Sequence, residues 1–142
     1  MKLKLMMVGT MVVVPLLLLA CSTAPKQVSV KVPCNDFMEQ QHISKQVAIP
    51  AGGSLIVTLC SNPTTGFQWS ESAQSSDQTV LQQTDHKFVP PEETGTVGGA
   101  GEEVWTFEAL KKGTSTVSLE YSRPWEGGEQ GEWTFTLTVT VK

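Results

Sequence analysis

The chain has 142 residues, with 10 Lys+Arg against 14 Asp+Glu, two histidines and three cysteines, and a net charge of −4. That length fits one domain of ordinary size. An acidic chain without a basic run argues against nucleic acid as partner, and the few histidines and cysteines argue against a metal cluster or a catalytic constellation.

Residues 1–20 read as an export signal. Fifteen of them are Met, Leu, Val or Ala, and the only charges are Lys2 and Lys4. A positive start, an apolar stretch and the small Ala20 before a cleavage point are the parts of a secretory leader. The stretch is short for a spanning helix, and Pro15 interrupts it. Its removal leaves 142 − 20 = 122 residues with 10 − 2 = 8 basic and 14 acidic side chains, a net charge of −6. Leu18-Leu19-Ala20-Cys21 resembles a bacterial lipobox, whose cysteine is lipidated and becomes the mature N-terminus. The resemblance implies an exported lipoprotein that meets the membrane through its N-terminal lipid only. Ser22 after the cysteine implies the outer membrane, facing the periplasm or the cell surface. A plain signal peptide followed by a chance cysteine is the alternative.

Residues 21–41 are expected to be the lipidated N-terminus and a tether, with the folded domain at 42–142. From Ser22 to Pro33 there are two prolines, two lysines and no apolar run long enough to bury. With Cys21 assigned to lipid, Cys34 and Cys60 are an even pair in an oxidising compartment and read as a disulfide. Closing that interval stabilises the fold by about 3 kcal/mol in the chain-entropy model. The alternative makes Cys60 a nucleophile with His86 as its base, which requires contact and a third group to orient the base.

Helical periodicity is nearly absent, and short alternating runs recur. In chain order these are Val47 and Ile49; Leu55, Val57 and Leu59; Phe67 and Trp69; and a polar stretch between Val80 and Phe88. Trp105, Phe107 and Ala109 follow, then Val117, Leu119 and Tyr121. The last run is the clearest: Trp133, Phe135, Leu137, Val139 and Val141 alternate with four threonines. A strand puts the two sets on opposite faces. Pro50-Ala51-Gly52-Gly53 and Lys111-Lys112-Gly113 are expected to close hairpins. Seven or eight strands with regular turn signals predict an all-β, immunoglobulin-like antiparallel β-sandwich.

Three loops carry more than turning requires. In Asn62-Pro63-Thr64-Thr65-Gly66-Phe67, Pro63 fixes φ and Gly66 permits a backbone closed to other residues. Such a loop is stiff before it meets a partner, although Asn-Pro alone is more often a structural turn. The second loop follows Pro90-Pro91 and contains Gly98-Gly99-Ala100-Gly101. Phosphate binding would need a helix after it, and a strand with two glutamates follows instead. The third is Arg123-Pro124-Trp125 with its acidic, glycine-rich tail. Arg and Trp are enriched at binding hot spots, and an Arg–Trp stack closing the turn is the competing reading. In an immunoglobulin-like sandwich, loops at these alternating positions converge on one end.

Together these three motifs, in this order over about residues 43–142, resemble the signatures of the chagasin family, inhibitors of papain-like cysteine peptidases. The resemblance implies a β-sandwich whose 62–67 loop enters the protease cleft, with Thr64 nearest the catalytic pair. It implies that Gly98, Gly99, Ala100 and Gly101 lie along the non-primed side, and Arg123, Pro124 and Trp125 along the primed side. Inhibition is then reversible and competitive. No catalytic residue, cofactor or metal is expected, and the protein is expected to be a monomer with a papain-like protease as partner. The family's middle loop usually reads Gly-x-Gly-Gly, so Ala100 is a departure that predicts lower potency without loss of activity. The acidic tail of the third loop favours proteases with a basic cleft rim. An adhesion or envelope-assembly module with the same fold is the alternative function.

Overall fold

Residues 26–92 and 99–142 are described by a computed structural model. The leader, Cys21 and Gly98 lie outside the described residues.

The alternating runs form strands, although Phe67, expected beside Trp69 on a short strand, lies just before it. The elements are β1 (Gln27–Val32), α1 (Cys34–Glu39), β2 (His42–Ile49), β3 (Ser54–Ser61) and a 3-10 turn at Pro63–Thr65. They continue with β4 (Gln68–Trp69), β5 (Gln74–Ser75), β6 (Leu81–Val89), β7 (Gly101–Ala109), β8 (Gly113–Ser122) and β9 (Trp133–Val141). Two sheets pack face to face, in the orders β1-β3-β7-β6 and β2-β9-β8-β4, with β5 also on β8. Alternate residues of β3, β7, β8 and β9 point between the sheets. Their apolar side chains, led by Trp105, Phe107, Phe135, Leu55 and Leu137, are fully buried there.

The sandwich is thus the expected class, with three differences in detail. First, β1 runs parallel to β3 and β2 parallel to β9, so both sheets are mixed. Second, neither expected hairpin is one. Pro50 to Gly53 joins β2 in one sheet to β3 in the other, and Leu110 to Lys112 joins β7 to β8 in the same way. Each flanking strand has one apolar face, and arching across the core buries both faces, which pairing edge to edge would not do.

Third, the expected tether is folded from Gln27 onward. Val28, Val30 and Val32 alternate, and β1 pairs with β3 over its whole length. Residues 34–39, also assigned to the tether, form α1, whose Phe37 is fully buried and stacks on Trp133 at 5.1 Å. Burial of one aromatic side chain, not helical periodicity, fixes this short helix. The fold therefore takes in residues 27–39, which the expected boundary at residue 42 leaves out.

Candidate functional site

The described parts of all three singled-out loops lie at one pole of the sandwich. The 62–67 segment arches from β3 to β4, the 90–100 loop joins β6 to β7, and residues 123–132 join β8 to β9. Pairing of Ser61 with Gly101 sets the start of the first loop beside the end of the second.

The first loop is wired from within. The Asn62 side chain accepts from the Thr64 amide at 3.2 Å and from the Thr64 hydroxyl at 2.6 Å. The Thr65 hydroxyl donates to the Asn62 carbonyl at 2.7 Å, and the Gly66 amide donates to the Pro63 carbonyl at 3.0 Å. Gly66 has φ 81°, the left-handed region that glycine enters freely. Pro63, Thr64 and Thr65 are exposed at the tip.

Its root is held by side chains that the sequence places in the core. The Asn62 amide donates to the Tyr121 hydroxyl at 2.9 Å, and that hydroxyl donates back to the Asn62 carbonyl at 3.2 Å. The Trp69 indole donates to the Cys60 carbonyl at 2.8 Å. Tyr121 and Trp69 were legible as strand residues, but their role in the loop was not. Beside them, the Ser61 hydroxyl donates to Glu103 at 2.7 Å, and His86 Nε2 bonds the other Glu103 oxygen at 2.8 Å. This carboxylate is nearly buried and doubly satisfied, which is what tolerates a charge there.

The third loop is locked onto the first. Arg123 donates to the Thr65 carbonyl at 3.3 Å and to Glu129 at 2.9 Å. Its guanidinium lies 4.4 Å from the Phe67 ring centre and 5.9 Å from that of Trp125. Phe67 in turn stacks on Tyr121 at 5.4 Å. Trp125 is 53% exposed, yet its ring covers Gly66 so closely that a Cβ there would sit 2.6 Å from it. The binding and stacking readings of Arg123 are therefore compatible: the stack itself presents an exposed indole. Pro124 is exposed beside it.

In the middle loop, Gly99 is partly buried and Ala100 exposed. Gly101 is buried, and a Cβ there would overlap the Val89 carbonyl and meet the Phe88 ring at 2.7 Å.

Cys34 and Cys60 are bridged, with Cα atoms 5.0 Å apart. The bridge removes the thiol that a Cys60–His86 dyad needs, and His86 faces Glu103 and the Trp105 ring instead. Among the described residues, no group of three or more His, Cys, Asp or Glu is placed to hold a metal ion.

The fold is a β-sandwich with an internally bonded, exposed loop and a half-exposed indole at one pole. The chain belongs to the chagasin family: the family described as Chagasin family peptidase inhibitor I42 matches residues 48–139. Chagasin of Trypanosoma cruzi is 32% identical over 102 residues, spanning 68% of this chain and 88% of its own. Amoebiasin-2 of Entamoeba histolytica is 31% identical over 86 residues, 61% of this chain and 68% of its own. The same fold occurs in the cysteine protease inhibitor EhICP2 of Entamoeba histolytica, with TM-score 0.63, 24% identity and coverage of 83% and 99%. It also occurs in PbICP-C, solved in complex with falcipain-2, with TM-score 0.57, 18% identity and coverage of 83% and 100%. The family is one of peptidase inhibitors, and the chain is not an enzyme.

Proposed function

We propose that the protein is a reversible, competitive inhibitor of papain-like cysteine proteases, anchored by lipid at Cys21 and facing the periplasm or the cell surface. The observation that carries the inhibitory reading is the wiring of residues 62–67. A loop already held in one shape loses little entropy on entering a cleft. A scissile peptide must lie extended, with its carbonyl open to attack. Here residues 63–65 form a 3-10 turn, and the Asn62 and Pro63 carbonyls accept hydrogen bonds from within the loop. The turn fits against a catalytic pair without being cut. Thr64 is the contact at the tip, Trp125 the aromatic anchor beside it, and Gly99 to Gly101 the third contact. The names of EhICP2 and of the falcipain-2 complex support this target class. The lipid anchor rests on the lipobox resemblance at Cys21.

Titration of papain with residues 21–142, using a fluorogenic substrate, tests the inhibitory reading. It predicts competitive inhibition, full recovery of activity on dilution, and an uncleaved chain. Absence of inhibition at micromolar protein contradicts it.

A further inference from the structure

We infer that the opposite pole of the sandwich is a docking surface for anionic phospholipid headgroups, which holds the domain base-down with its loops pointing away from the bilayer. This rests on the lipid-anchor part of the proposed function and adds to it an orientation and a lipid class.

The surface is assembled around the turn at residues 50–53. The Ser54 amide donates to the Lys26 carbonyl at 2.7 Å, and the Ala51 amide to the Lys142 carbonyl at 2.9 Å. The Gly52 amide donates to the Ala109 carbonyl at 2.8 Å, which places the Leu110 to Lys112 arch beside them. Lys26, Lys111, Lys112 and Lys142 are thereby gathered at one pole, and all four are exposed. They are half of the eight basic residues that follow the leader. Among the described residues the ion pairs involve Lys31, His86 and Arg123, so none of the four is neutralised by a close partner. Leu110, 47% exposed, stands on the same arch and supplies an apolar contact. Asp77 and Glu108 are the acidic residues nearby: Lys111 acts on Asp77, and Glu108 pairs with Ser54.

The loop pole has the other sign. Asp36, Glu39, Glu92, Glu126 and Glu132 are exposed there, beside the Glu129 that Arg123 pairs. The protein is acidic as a whole, so its basic pole is a departure that composition hides. An anionic surface attracts one pole and repels the other.

The chain geometry brings the basic pole to the membrane. β1 enters at Lys26 on the basic pole and runs parallel to β3 towards the loops. Five residue steps lead from Cys21 to Lys26, a reach of at most about 18 Å. The eight-residue β3 sets the loops roughly 25 Å beyond the base. With a screening length of about 8–10 Å, only the basic pole feels the headgroups strongly.

The test uses residues 21–142. Every buried core side chain among the described residues lies between Val32 and Val141, all within the segment tested. With Cys34 and Cys60 bridged, Cys21 is the free thiol, and a maleimide phospholipid coupled to it gives an anchor that does not depend on natural lipidation. Amide exchange is then compared on phosphatidylcholine vesicles with and without phosphatidylglycerol. We expect protection at 50–53 and 110–113 on the anionic vesicles only, lost at high salt, and no change at 62–67. Without the lipid, Lys111→Glu with Lys112→Glu lowers affinity for anionic vesicles by at least about tenfold. The neutral pair Lys111→Gln and Lys112→Gln serves if charge reversal disturbs the arch. Equal exchange on both vesicles, protection at the loop pole, or unchanged affinity in the variants overturns the inference. Papain inhibition, measured on the same samples, separates this outcome from failure of the inhibitory reading.

Discussion

Tyr121 shows how one side chain can serve two levels of structure. Its ring packs between Phe67, Trp69 and Trp133 as a core residue. Its hydroxyl, at the edge of that core, both accepts from and donates to the backbone of Asn62. Tyr121→Phe keeps the ring and removes one hydrogen bond from the part-buried Asn62 amide. The expected cost is about 1–2 kcal/mol of stability, with a matching fall in affinity for papain. Thermal melting and inhibition titration check both; a variant as stable and potent as the parent means the internal bonds of Asn62 suffice. Trp125→Ala separates contact from support differently. The indole is half exposed, so its loss lowers affinity by tenfold or more, as hot-spot aromatics do. The melting temperature stays near that of the parent, and a variant that unfolds instead makes Trp125 structural. The loop residues themselves were legible, because Asn-Pro, Gly66 and Arg-Pro-Trp are local signals. Tyr121 was not, since its partner lies 59 positions away and its strand periodicity already explains its presence.

At the scale of elements, alternation was a sufficient guide wherever both faces of a strand had contrasting neighbours. β9 is the clearest case, with apolar residues inward and threonines outward. What alternation cannot supply is the sheet in which a strand lies. The turns at 50–53 and 110–112 carry hairpin residues, yet both arch between sheets. β1 shows the opposite failure: Val28, Val30 and Val32 alternate, but two prolines and two lysines around them favoured a tether. α1 carried no readable pattern, since it is fixed by Phe37 in the core and by the bridge at Cys34. The turn into β6 makes a prediction of its own. The Asp77 carboxylate accepts from the Thr79 hydroxyl at 2.6 Å and from its amide at 2.9 Å. These bonds, with the charge of Lys111 helping, hold its pKa below the ordinary value of 3.8. A depressed carboxylate stabilises the fold fully above its unfolded pKa and loses that contribution as pH falls through the folded value. Asp77→Ala is therefore less stable than the parent at neutral pH, and the difference narrows as pH drops below 3.8. Paired melting curves across that range check it; a gap that does not narrow assigns the effect to something other than the carboxylate.

The whole molecule separates two kinds of surface along one axis. One pole holds the chain entry and four lysines, and the other holds three loops drawn from distant parts of the sequence. The bridge at Cys60 lies two residues before Asn62 and ties β3 to α1 at the loop pole. Replacing both Cys34 and Cys60 by Ser should lower stability by about 3 kcal/mol. Inhibition should survive wherever the variant remains folded, because Tyr121, Trp69 and the internal bonds still hold the loop. Denaturant unfolding and titration of papain by the variant measure the two effects separately. The most direct test of the account is amide exchange of residues 21–142 with and without excess papain. Protection is expected only at the 62–67 loop, residues 99–101 and residues 123–125, with no change at 50–53 or 110–113. A complex protected elsewhere, or exchange unchanged by papain, contradicts it.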